Sequence, residues 1–167
     1  MTSIKLILEP LTKEAFSPFG DVLGGDQNAE TESINYGLTN CHLQNSEVDT
    51  FDNDGGTVIR LFDTQPVTLP FKICVMERHP LGSQAFIAMD DNPFVLVVGE
   101  AGDFDPHRLS AFIAMPYQII NYHKGTWHHY CLSLNAKTRF AVVDRNGPGT
   151  NCEEQHIVDN TEIYVDY

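Results

Sequence analysis

Apolar residues along this chain come in short bursts, and each burst ends in a polar, Gly-rich or Pro-rich break. Bursts of that length predict strands rather than helices. The expected strands are Ile4–Leu8, Ile34–Leu43, Thr57–Phe62, Phe71–His79, Gln84–Met89, Phe94–Val98, Leu109–Ala114, Gln118–Tyr122, Trp127–Leu132 and Arg139–Asp144. Turn clusters separate them, among them Asp52-Asn53-Asp54-Gly55-Gly56, Pro80-Leu81-Gly82-Ser83 and Asn146-Gly147-Pro148-Gly149. The best helix signal is Thr12-Lys13-Glu14-Ala15-Phe16, with Thr12 as cap and Ser17-Pro18 as stop. Many short strands at this spacing predict an all-β sandwich or barrel, jelly rolls included, with one or two short helices. No repeat or linker divides residues 1–167, so one domain is expected.

Composition narrows the function. The chain carries 10 Lys and Arg against 23 Asp and Glu, a net charge of −13. A surface of that sign repels phosphate backbones and anionic lipid heads, so no nucleic-acid or membrane partner is expected. The strongest apolar run, Phe94–Val98, is far short of the roughly 18 residues a membrane span requires. The opening Met-Thr-Ser-Ile-Lys, soon followed by Glu9 and Pro10, does not read as a signal peptide, and a cytoplasmic location is expected. Cys41, Cys74, Cys131 and Cys152 are scattered and form no Cys-x-x-Cys pair, which predicts free thiols rather than a zinc knuckle.

Candidate chemistry gathers in two stretches, Glu77 to Ile87 and Asn121 to His129, which hold four of the seven histidines. Side chains alternate along a strand, so Ile73, Val75, Glu77 and His79 should share one face and Lys72, Cys74, Met76 and Arg78 the other. The first face starts apolar and ends in a carboxylate and an imidazole, as a core-facing strand does at a barrel mouth. Gln84 can return beside His79 after the turn. His128 and His129 are adjacent and should point opposite ways, so only one can join Glu77 and His79. Other readings stay open on these residues alone. A strand histidine is often structural, Glu77 and His79 could be a surface pair, and Trp127 could be simple core.

The two stretches resemble the paired motifs of cupins. Glu77-Arg78-His79, four residues, then Gln84 follows the first motif's spacing, and His123-Lys124-Gly125-Thr126-Trp127-His128 follows the second's. The resemblance carries the metal-ligand positions onto Glu77, His79, Gln84 and His128. Glu77, Gln84 and His123 replace the usual His, Glu and Pro. The closer resemblance is to the ureidoglycolate lyase family. It rests on Glu-Arg-His-Pro-Leu-Gly-Ser-Gln-Ala-Phe-Ile, Asn-Tyr-His-Lys-Gly-Thr-Trp-His-His, the opening from Pro10 to Val22, and Val143-Asp144-Arg145.

That resemblance implies a cupin-type double-stranded β-helix, a homodimer, and cleavage of ureidoglycolate to glyoxylate and urea in allantoin breakdown. It also implies a divalent ion, nickel by preference, and no organic cofactor is expected. Glu77, His79, Gln84 and His128 are then the catalytic and metal-binding candidates, with His123 and Lys124 as substrate binders. Alternatives are an amidohydrolase on the same substrate, releasing ammonia and carbon dioxide, a non-catalytic cupin that binds small acids, and a dioxygenase or isomerase cupin, against which Gln84 argues.

Overall fold

The computed structural model describes residues 2–158 and 160–167. In chain order its first elements are β1 (Thr2–Pro10), α1 (Lys13–Phe16), β2 (Gly20–Leu23), β3 (Thr31–Ile34), β4 (Thr39–His42) and β5 (Gly56–Thr64). Then come β6 (Phe71–Ile73), β7 (Val75–Arg78), β8 (Gln84–Ala88), β9 (Phe94–Gly99), β10 (Ser110–Ala114) and β11 (Ile119–Tyr122). The last are β12 (Trp127–His128), β13 (Leu132–Ser133), β14 (Thr138–Asn146), β15 (Glu153–His156) and β16 (Thr161–Asp166). No helix among the described residues is long and apolar enough to cross a membrane.

The strands form a curled nine-stranded sheet, ordered β15-β7-β12-β9-β10-β1-β16-β6 with β13 added to β9. A five-stranded sheet, β2-β11-β8-β14-β5, accompanies it. The result is an all-β, cupin-like barrel with few helices.

β9 explains the unbroken apolar run Phe94–Val98. Phe94, Leu96 and Val98 join a core with Phe86, Tyr122 and Phe140 of the small sheet. Val95 and Val97 point the other way, into a second core with Ile73, Met76 and Trp127. A strand buried on both faces loses its polar alternation. Helix α1 forms where expected: the Ala15 amide donates to Thr12 Oγ1 at 3.2 Å, and Phe16 is driven fully into the barrel core.

Three expected strands are interrupted. Ile34–Leu43 is not one strand but the turn and return of a hairpin, β3 against β4. Asn35, Tyr36 and Gly37 all have positive φ, a conformation Asn and Gly tolerate and one that reverses the chain. Phe71–His79 breaks at Cys74, because β6 pairs with β16 whereas β7 pairs with β12 and β15. Ile73 and Met76, expected on opposite faces, therefore reach the same core. Trp127–Leu132 is interrupted between β12 and β13. The pattern also passed over β2, β15 and β16; in the last, Ile163 and Val165 alternate inward while the strand lies parallel to β1.

Candidate active site

The site begins with register. His128 of β12 lies opposite Glu77 of β7 on one side and Val98 of β9 on the other. Directly opposed residues project from the same face, and Val98 faces the barrel core. Glu77 and His128 therefore point into the barrel, while their neighbours Met76 and Trp127 enter the second core. The alternation expected for Trp127-His128-His129 is observed. The His129 ring lies 5.9 Å from Phe71, which packs against that second core.

His79 follows directly on β7. The Gly125 amide donates to the His79 carbonyl at 2.9 Å, so the two motif loops are clasped together. Gly125 has φ +81°, which suits glycine at this turn. The His79 and His128 rings are 5.1 Å apart between centroids.

Hydrogen bonding sets the tautomers. His79 Nδ1 lies 2.6 Å from the Asn151 carbonyl oxygen, which can only accept. Nδ1 therefore carries a proton. His128 Nδ1 also faces acceptors, the His129 carbonyl at 3.4 Å and Glu77 Oε1 at 3.8 Å. Both Nε2 atoms are buried and have no hydrogen-bond partner among the described residues. Burial pushes His128 down to about 3, so its ring is neutral at physiological pH. Burial likewise pushes the Cys131 thiol, in the same core, up to about 12.

Ligand-capable atoms of Glu77, His79 and His128 lie within 4.8 Å of one another. Two imidazoles and one carboxylate form a mixed nitrogen–oxygen donor set that suits Ni²⁺, Zn²⁺ or Mn²⁺. The orphaned Nε2 atoms fit such an ion.

Gln84 reaches the interior from the small sheet. It lies opposite Tyr122 of β11, is buried, and its Oε1 has no partner. Tyr122 was not among the expected site residues. Its ring lies flat on His128, with centroids 4.3 Å apart and planes 5° from parallel, and its hydroxyl is buried with no hydrogen-bond partner among the described residues. The position lies inside the second motif, but only the facing of the two sheets brings it against His128. Asn151, which orients His79, had no sequence signal.

His123 and Lys124 are placed differently. They line an open groove with Asp21, Asp49 and Ser83, outside the Glu77–His79–His128 group. Lys124 Nζ is held by Asp49 at 2.8 Å and Asp52 at 2.6 Å, and His123 Nε2 lies 3.2 Å from Asp21. Arg78 leaves the barrel as parity requires, pairing with Glu153 and covering the Trp127 ring at 4.6 Å.

A cupin-like barrel with a carboxylate and two imidazoles converging inside it defines a class: a small-molecule enzyme whose interior can hold a divalent ion. Comparison with known proteins narrows this class. A family model described as ureidoglycolate lyase matches residues 3–164. A ureidoglycolate lyase of Burkholderia mallei (strain NCTC 10229) is 45% identical over 152 residues, spanning 91% of this chain and 89% of its own. One from Pseudomonas savastanoi pv. phaseolicola is 42% identical over 163 residues, spanning 97% and 95%. A third, from Pseudomonas aeruginosa (strain LESB58), is 40% identical over 162 residues, spanning 96% and 95%. The chain belongs to the ureidoglycolate lyase family.

Proposed function

We infer that this enzyme splits ureidoglycolate into glyoxylate and urea, as a step of allantoin breakdown. The observation that carries this is the convergence of Glu77, His79 and His128, with both Nε2 atoms unpartnered among the described residues, inside the barrel of a chain from this family. Ureidoglycolate is an adduct of an aldehyde and a urea nitrogen. To cleave it, the hydroxyl loses its proton, the C–O bond becomes C=O, the C–N bond breaks, and the urea nitrogen takes up a proton.

Glu77, His79 and His128 would hold a divalent ion, nickel by the family resemblance. When bound, such an ion supplies a Lewis acid that lowers the pKa of a substrate hydroxyl. The chain's own groups prepare the site. The Asn151 carbonyl keeps the proton on His79 Nδ1, the Tyr122 ring fixes the plane of His128, and burial keeps His128 neutral. A second reading rests on the same Asn151 contact: in the absence of an ion, His79 Nε2 is an oriented acceptor for the hydroxyl proton.

Incubation of the metal-analysed protein with fresh ureidoglycolate tests the proposal. Glyoxylate and urea should appear in equal amounts without early ammonia. Ammonia released from the start would identify an amidohydrolase instead. Stripping the protein with a chelator should lower turnover at least about 10²-fold, with recovery on adding Ni²⁺; undiminished turnover would favour His79 as the base.

We also propose a homodimer in the cytoplasm. What supports the dimer is the outer face of the small sheet. Across it runs an apolar row, Leu61 opposite Ala141, Ala141 opposite Ile87, and Ile87 opposite Ile119. Leu61 and the nearby Ile59 are exposed. An apolar sheet face of this kind gains by burial against a second copy.

A further inference from the structure

The mechanism above leaves two inward-facing polar groups without work, the Tyr122 hydroxyl and the Gln84 side-chain amide. They are direct cross-strand partners on β11 and β8, so both side chains rise from the same spot on the same face. Tyr122 is 2% exposed and Gln84 4%. Among the described residues Gln84 Oε1 has no hydrogen-bond partner, and Tyr122 Oη has none within bonding distance, with the weakly polar Cys131 thiol beside it. Tyr122 also lies flat against His128, which places the pair beside the proposed reaction centre on the facing sheet. Buried polar atoms without partners are uncommon, and an apolar pair would fill these positions at lower cost.

The two groups differ in kind. A phenol O–H can donate, and an amide oxygen accepts. A ureido group presents the complementary set, a carbonyl oxygen that accepts and a terminal NH₂ that donates.

We propose that Tyr122 and Gln84 form the subsite that reads the ureido end of the substrate. Tyr122 Oη donates to the ureido carbonyl, and Gln84 Oε1 accepts from the terminal NH₂. Glu77, His79 and His128 are left to the carboxylate and hydroxyl end. Gln84, expected from motif spacing as a metal ligand, becomes a specificity residue here. The inference rests on the ureidoglycolate reading, and it predicts which analogues the site rejects. A site built to hydrogen-bond an NH₂ discriminates strongly against a ligand without one, because its own acceptor is then left unpaired.

Calorimetry with three non-reacting or product ligands tests this without requiring turnover. N-carbamoylglycine keeps the ureido group and the carboxylate. N-acetylglycine keeps the carbonyl but lacks the NH₂. Glyoxylate has only the other end. The wild-type protein should bind N-carbamoylglycine at least about tenfold more tightly than N-acetylglycine. Gln84→Met should bring that ratio close to one by weakening N-carbamoylglycine alone. Tyr122→Phe, which removes one oxygen and keeps the stacked ring, should weaken both about tenfold. Neither substitution should change the glyoxylate constant more than about twofold. Retention of the wild-type ratio in Gln84→Met, or a parallel loss of glyoxylate binding in either variant, would overturn the proposal. Assay of the wild-type protein on ureidoglycolate separates the two ideas. Binding with this pattern but without cleavage sinks the lyase reading and leaves the subsite standing.

Discussion

His128 and His129 are both about 1% exposed, yet they face different surroundings. His128 looks into the barrel beside Glu77 and His79, and His129 lies against Phe71. His128→Ala should reduce turnover at least about 10²-fold, because it removes one of the three groups that would hold the ion. Because His128 is also stacked on Tyr122, its loss should lower the thermal midpoint as well. His129→Ala should lower the midpoint while turnover per folded molecule is kept. Measuring both quantities for both variants decides the assignment, and the reverse pattern would exchange the two roles. The same pair predicts an acid-sensitive fold. Burial holds His129 down to about 4 and His128 to about 3, against an ordinary value of 6.5. Below pH 6.5 the unfolded chain takes up protons that the folded chain refuses, so stability is full above that value and falls as pH drops toward 4. Urea midpoints of the metal-free protein should decline from pH 7 to pH 5, and less steeply in His129→Asn. A flat profile would contradict the buried, neutral assignment.

At the scale of elements, the site depends on segments far from it in sequence. Arg145, at the end of β14, is buried, and its Nη2 donates to the carbonyls of Asp52 at 2.7 Å, Asn53 at 3.1 Å and Pro148 at 2.8 Å. It ties the 52–55 turn to the return of the chain toward Asn151, whose carbonyl orients His79. Arg145→Met should destabilise the fold by roughly 2–4 kcal/mol, since it strips a buried guanidinium from three acceptors. Chemical denaturation measures that loss, and a change below roughly 0.5 kcal/mol would show that the clamp is dispensable. β12 is only two residues long, yet it is sandwiched between β7 and β9 and holds His128 in register with Glu77. A one-residue slip there would send His129 into the barrel instead.

For the molecule as a whole, the apolar row of Leu61, Ala141, Ile87 and Ile119, with Leu61 exposed at its end, leads to a mass prediction. Light scattering at micromolar concentration should give twice the 18.7 kDa of one chain, and Leu61→Glu should return it to one chain's mass without unfolding it. A wild-type monomer would remove the dimer from the picture. Much of this molecule was legible in its sequence because side-chain alternation is a local rule. Period-two patterning and turn residues identified the all-β class and the divergence of His128 from His129, whereas the face shared by Ile73 and Glu77 was lost at the break at Cys74. The motif spacing picked out Glu77, His79, Gln84 and His128; Glu77, His79 and His128 converge, and Gln84 is buried on the facing sheet. What local pattern could not decide was pairing between distant segments. Cys74 breaks a continuous apolar stretch because β6 and β7 find different partners, and Asn35-Tyr36-Gly37 turns an expected strand into a hairpin. Tyr122 meets His128 only because two sheets face each other, and Asn151 meets His79 from 72 positions further along the chain. The sequence by itself determined the alternation of side chains within each unbroken strand, through the sterics of the extended backbone, but not where a strand breaks, as at Cys74. Only the tertiary structure decided which inward side chains meet, because that follows from the long-range register of the sheets.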